Sequence, residues 1–168
     1  MSNAGYEDVR DTIARSLNRR FGTSFHQNNI LMTVGAASGL NIILKTLLNP
    51  GDEVIVFAPY FVEYGSYVRN YDGNLVVISP NTEDFQPNLE ELGEKITPRT
   101  KAVIINTPNN PTGVVYSAGT LARMADILRE RQTQDVYKRQ AWPRTCPLIP
   151  TRSSGPTVNW NARDIFIR

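Results

Sequence analysis

The sequence predicts an α/β fold: a mostly parallel sheet with helices on both faces. Two patterns carry the prediction. Three short apolar runs, VIVFA (54–58), LVVIS (75–79) and AVIIN (102–106), do not alternate with polar residues, as expected of strands buried on both faces. Between them, apolar residues recur at helical spacing, and strand alternating with helix implies βαβ units.

Taken in order, Val9, Ile13, Leu17 and Phe21 recur at spacing four and predict a helix near 6–20, with Arg19 and Arg20 suiting its carboxyl end. NILMTVG (29–35) reads as a short apolar strand ending in glycine. AASGLNIILKTLL (36–48) is too long for a strand and apolar nearly all round, so it predicts a buried helix, stopped by NPGDE at 49–53. The strand at 54–58 follows. After Pro59, the residues Phe61, Tyr64, Tyr67, Val68 and Tyr71 fall at helical spacing, and Asp72 and Gly73 supply a turn before the strand at 75–79. Asn88 is placed to cap a short helix carrying Leu89, Leu92 and Ile96. Beyond the strand at 102–106, Ser117 can cap a last helix with Leu121, Met124, Ala125 and Leu128 facing inward. There is no internal repeat.

Composition sets the outer bounds. The 168 residues, 40% hydrophobic and 20% charged, suit one soluble globular domain. No apolar run approaches a membrane span, and the start MSNAGYEDVR lacks the features of a signal peptide, so a cytoplasmic protein is expected. One cysteine, Cys146, excludes an intramolecular disulfide, and His26 is the single histidine, so a zinc site would need carboxylates or a second chain. The net charge of +2 divides unevenly. Residues 1–134 hold 12 Lys and Arg against 14 Asp and Glu, a balance of −2, whereas 135–168 hold 6 against 2, a balance of +4. The basic character belongs to the tail and argues for neither a nucleic-acid nor a membrane partner.

In open α/β sheets, ligands bind beyond the carboxyl ends of the strands. Three unusual stretches are expected on that rim: TVGAASG (33–39), APYF (58–61) and NTPNNPTG (106–113). At Gly35, Ala36, Ala37, Ser38 and Gly39, small side chains leave first-turn amides open to an anion such as a phosphate, and equally allow close helix packing. The stretch is neither a Walker loop nor a G-x-G-x-x-G site. Phe61 offers a face to a planar ring, or belongs to the core. Asn110 both donates and accepts, and its bond to Pro111 is a candidate for the cis form. Together these residues suit a small phosphorylated aromatic ring.

The order TVGAASGL, NPGDEVIVFAPYF and AVIINTPNNPTGVVY closely resembles the class I/II aminotransferases, pyridoxal-phosphate enzymes of fold type I of the aspartate-aminotransferase kind. The resemblance covers residues 4–134 and only the amino-terminal part of the family's large domain. It implies a truncated fold type I domain over 1–134. In that domain the amides of Gly35, Ala36 and Ala37, aided by Ser38, hold the phosphate of pyridoxal 5'-phosphate. Phe61 stacks on the pyridine ring, and Asn110 bonds its phenolic oxygen. It further implies amino acid and 2-oxo acid substrates and a homodimer.

The family's Schiff-base lysine, its aspartate for the pyridine nitrogen and its arginine for the substrate carboxylate all lie beyond the NPTG corner. No catalytic residue is therefore assigned, and Lys45, Lys95 and Lys101 are expected to be solvated surface lysines. An inactive fragment is expected. Alternatives are another fold type I enzyme, such as a carbon–sulfur lyase or a synthase, or a noncatalytic phosphate- or nucleotide-binding α/β module. After ILRERQTQ the helical pattern stops at DVYKRQ (135–140), which is similar to the translation of a transposon end used in sequencing libraries. Residues 135–168 are accordingly expected to be a non-native or out-of-frame tail, irregular or disordered.

Overall fold

The computed structural model describes residues 3–136 and 165–167. Helix α1 (Glu7–Phe21) leads through a single 3-10 turn (Gln27–Asn29) to α2 (Gly35–Leu47). Then come β1 (Glu53–Phe57), α3 (Glu63–Arg69), β2 (Asn74–Ile78), α4 (Leu89–Lys95), β3 (Thr100–Ile104), α5 (Ala118–Val136) and β4 (Ile165–Ile167). The sheet order is β2-β1-β3-β4. β1 pairs parallel with β2 and with β3, and β4 lies antiparallel on β3. The rest of the expected irregular tail, with Cys146, lies outside the described residues. No described helix is long and apolar enough to cross a membrane.

Why the strands read as unbroken apolar runs is visible in how the core divides. Side chains alternate across a strand, so Ile55, Phe57, Val103 and Ile105 face one layer, with Leu92 of α4 and Met124 and Ile127 of α5. Val54, Val56, Ala102 and Ile104 face the other, with Leu40 and Leu44 of α2 and Tyr64 and Val68 of α3. Both faces are covered, so polar residues are confined to the first positions of each strand, Glu53 in β1 and Thr100 and Lys101 in β3. Burying each of the Val, Leu, Ile, Phe and Met side chains among these contributes roughly 1.5–3 kcal/mol relative to exposure.

The two anticipated caps form. Asn88 Oδ1 accepts from the Glu91 N–H at 3.0 Å, and Ser117 Oγ from the Thr120 N–H at 3.0 Å. At the end of β2, the Glu91 carboxylate takes the Ser79 N–H at 2.8 Å and the Lys95 ammonium at 2.6 Å. The Lys95 hydrogen bond, helped by Ser79, holds the Glu91 carboxyl below its usual range against the opposing effect of partial burial. On the opposite rim, Glu53 is buried and receives Arg99 through both Nε and Nη2, together with the hydroxyls of Thr97 and Thr100. A carboxylate inside the sheet edge is tolerated because donors surround it.

Several expectations change. NILMTVG is not a strand: Ile30 alone of its apolar residues is buried, Leu31, Met32 and Val34 are exposed, and no strand pairs with it among the described residues. Its Met32 N–H goes instead to the Ala4 carbonyl. Apolar composition without a neighbouring ladder does not make a strand. Helix α2 is not buried all round, since only Leu40 and Leu44 are fully covered and Ile42 is exposed. In α1 the buried stripe is Arg10, Ala14 and Leu17, while Val9 is exposed. Arg10 enters that stripe because its Nη1 donates to the Gln27 carbonyl at 2.8 Å. Among the lysines, Lys45 is exposed, Lys95 is committed to Glu91 and the Val77 carbonyl, and Lys101 is half-buried.

Candidate functional site

The corner that follows β3 is wired by its own polar side chains. Asn109 is 7% exposed. Its Oδ1 accepts from the Thr112 N–H at 3.2 Å and hydroxyl at 2.8 Å, and its backbone exchanges bonds with Val114 and Gly113. Gly113 closes the turn with φ +76°, a conformation that glycine adopts freely. Thr107 Oγ1 accepts from the Tyr116 N–H at 2.9 Å. Asn106, equally buried, has its amide oriented to donate to the Pro108 carbonyl at 3.0 Å and accept from the Asn110 N–H at 2.9 Å. The Ala58–Pro59, Thr107–Pro108 and Asn110–Pro111 bonds are cis, the last as anticipated.

These contacts fix the backbone of Asn110 and leave its half-buried side chain without a hydrogen-bond partner among the described residues. A free amide on a fixed backbone is suited to a ligand that both donates and accepts. Asn109 Nδ2 also donates to the Pro59 carbonyl at 3.1 Å, joining this corner to the segment beyond β1 that carries Phe61. Phe61 is half-buried and meets Tyr64 edge-on, with ring centroids 5.7 Å apart. It packs against the cluster containing Tyr64 and Leu40, so the core reading of this residue is partly realised.

Helix α2 joins the same cluster through Leu40, which brings it to the face that Phe61 occupies. Its start is open. Val34 provides no side-chain cap, and Gly35, Ala36 and Ala37 are exposed, with Ser38 half-buried. The Gly35 N–H is taken by the Thr33 carbonyl at 3.0 Å, which leaves the amides of Ala36 and Ala37 as first-turn donors without an intrahelical partner. Gly35 has φ +76°, and nothing lies within 4 Å of where its Cβ would stand. The donor set fits a phosphate group, with Ala36 and Ala37 rather than Gly35 supplying the free amides and Ser38 its hydroxyl.

Beneath the corner, a water-sized recess is lined by Tyr60, Tyr64, Asn106, Asn109 and Tyr116 together with Val56, Phe57 and Ile104. Burial pushes the Tyr116 hydroxyl above the ordinary phenol range, an effect that the Asn109 side chain partly offsets. The phenol therefore stays neutral near pH 7. Sequence reasoning singled out neither Asn106, Asn109 nor Tyr116. The Asn-Asn doublet was the available signal, with one amide turned inward and the other left free. Among the described residues no group of three or more His, Cys, Asp or Glu could hold a metal ion.

Residues 1–133 match the model of the family described as aminotransferase class I and II. The chain belongs to that family. It is 39% identical over 128 residues to the aspartate/prephenate aminotransferase of Thermus thermophilus, covering 76% of this chain and 33% of that protein. Against the aspartate aminotransferase of Thermotoga maritima the identity is 37% over 128 residues, 76% of this chain and 34% of the relative. An amino transferase structure from Eubacterium rectale superposes with a TM-score of 0.77 at 40% identity, over 80% of this chain and 34% of that one. The alanine aminotransferase of Pyrococcus furiosus gives 0.73 at 34%, over 79% and 34%. The chain thus spans about a third of the length of the curated relatives it matches. Its α/β fold, with three parallel strands between helices, is part of the fold type I aminotransferase architecture.

Proposed function

We propose that this chain carries the cofactor-contacting rim of a pyridoxal-phosphate aminotransferase that moves an amino group between an amino acid and a 2-oxo acid in the cytoplasm, and that it is inactive by itself. The observation that carries the reading is the NNPTG corner, where Asn106 and Asn109 hold the Asn110 backbone and leave its amide free beside the segment bearing Phe61. In this reading, the amides of Ala36 and Ala37, at the helix start opened by Gly35 and aided by Ser38, take the phosphate of pyridoxal 5'-phosphate. Phe61 lies along the ring and Asn110 bonds the phenolic oxygen, favouring its anionic form. The bound group supplies an electron sink for the substrate's α-carbon. None of Lys45, Lys95 and Lys101 is assigned the catalytic lysine's part: Lys95 is ion-paired on α4, and Lys101 sits at the start of β3, at the rim away from the corner. The complete enzyme works as a homodimer.

The test is an absorbance spectrum of the purified chain with added pyridoxal phosphate, before and after borohydride reduction, followed by peptide mapping. The expected result is cofactor association with no lysine modified stoichiometrically. Reduction onto one lysine in a 1:1 ratio would overturn the assignment of inactivity, and nucleotide binding in place of pyridoxal phosphate would overturn the cofactor assignment.

A further inference from the structure

We infer that Asn109 is a positioning residue for the ring half of this site, setting the separation between Phe61 and Asn110 by clamping the end of β1 to the corner after β3; the inference rests on the reading above. Its side chain spans the two segments. Nδ2 donates to the Pro59 carbonyl at 3.1 Å, two residues before Phe61, and Oδ1 accepts from Thr112 through both the amide and the hydroxyl. Its own backbone is held at both ends, by Val114 at 2.8 Å and by Gly113 at 2.7 Å, so the clamp cannot slide along the corner. At 7% exposure it does not compete with solvent for these bonds.

Asn110, the next residue, receives its orientation from this anchored peptide and from Asn106. Removing the clamp frees the Pro59 segment and the corner to drift independently. A drift of about an ångström in a positioning group is enough to weaken a directed hydrogen bond strongly. The phosphate seat on α2 makes none of these contacts and should be insensitive to the change.

The experiment uses the whole chain with pyridoxamine 5'-phosphate, which has the same phosphate and phenol as the cofactor but no aldehyde to modify lysines. Phosphorus NMR reads the phosphate seat, and the pH midpoint of the ring absorbance transition reads the bond to the phenolic oxygen. Wild type should bind with a midpoint below that of the free probe. Asn109→Ala should return it by roughly half a unit to one unit while changing the phosphorus shift little. Asn110→Ala should do the same, with no further movement in the double variant. Asn109→Asp keeps the acceptor for Thr112 but cannot donate to Pro59, and should resemble Asn109→Ala. If circular dichroism shows Asn109→Ala unfolded, Thr112→Val gives a smaller shift in the same direction. A folded Asn109→Ala or Thr112→Val protein that binds with the wild-type midpoint overturns the positioning role and leaves the cofactor reading intact. A wild-type chain that does not bind the probe overturns the cofactor reading, and the positioning role with it.

Discussion

The corner after β3 and the start of α2 both offer polar groups to a ligand, yet they are built in opposite ways. In the corner, Asn106, Thr107, Asn109 and Thr112 satisfy the backbone around them, and the two asparagines are buried. At α2 the donors belong to the backbone itself, Val34 caps nothing, and the side chains stand in water. One region is assembled by the protein before a ligand arrives, and its ordering entropy is met during folding. The other keeps first-turn amides that no side chain of its own caps. On the proposed function, the difference amounts to a division of labour: the corner would set geometry, and the helix start would supply charge complementarity.

The largest effect that would break this comparison is in the corner. Asn106→Ala removes bonds to both Pro108 and Asn110 from a buried site and should lower unfolding free energy by about 2–3 kcal/mol. Denaturant titration checks it, and a loss below about 0.5 kcal/mol would mean the corner is not self-supporting. Thr107→Val deletes one acceptor, that of the Tyr116 N–H, and should cost about 1 kcal/mol by the same titration. On the neighbouring part of the rim, Glu91 has a depressed folded pKa, so its contribution is present at neutral pH and lost as pH falls through the folded value. Acid titration of Glu91→Gln should therefore show a shallower loss of stability below about pH 4 than wild type. The smallest effect belongs to α2. Ala37→Ser should change stability by no more than about 0.5 kcal/mol, since the exposed position packs against little. It should still tighten binding of pyridoxamine 5'-phosphate measured by calorimetry, and a stability change comparable with that of Asn106→Ala would erase the contrast.

Much of the fold was legible for a definite reason. β1, β2 and β3 fall within two residues of the runs that announced them, because β1 and β3 are covered on both sides and leave little room for polar interruptions, whereas β2, at the sheet edge, buries only Ile78 fully and keeps Leu75, Val76 and Val77 half-buried. Asn88 and Ser117 were legible as caps because a short oxygen-bearing side chain before an apolar period has a specific use. NILMTVG was misleading because composition cannot report whether a partner strand exists beside it. Arg10 was invisible for a related reason: a buried guanidinium depends on a carbonyl 17 residues away, and periodicity counts only apolar side chains. In the site, sequence picked out Asn110 but not Asn109. Two adjacent residues of one type differ only in which way the backbone turns them, and that is decided by Pro59 and Thr112. The uncapped start of α2 was legible as a run of small residues, although the engagement of the Gly35 amide with Thr33 was not.

The central place of β1 has a consequence for how the chain comes off the ribosome. It is made first of the three parallel strands, yet both its edges wait for partners, β2 on one side and β3 on the other. β3 begins roughly forty residues after β1 ends. At synthesis rates of about 5–20 residues per second, one edge of an almost wholly apolar strand stays unpaired for about 2–8 seconds. Over that interval α2, already synthesised and carrying Leu40 and Leu44, can shield the face of the strand but not its edge. A nascent chain that binds β1 to another copy in those seconds forfeits the corner before it exists, so the yield of folded protein should depend on translation speed across residues 58–104.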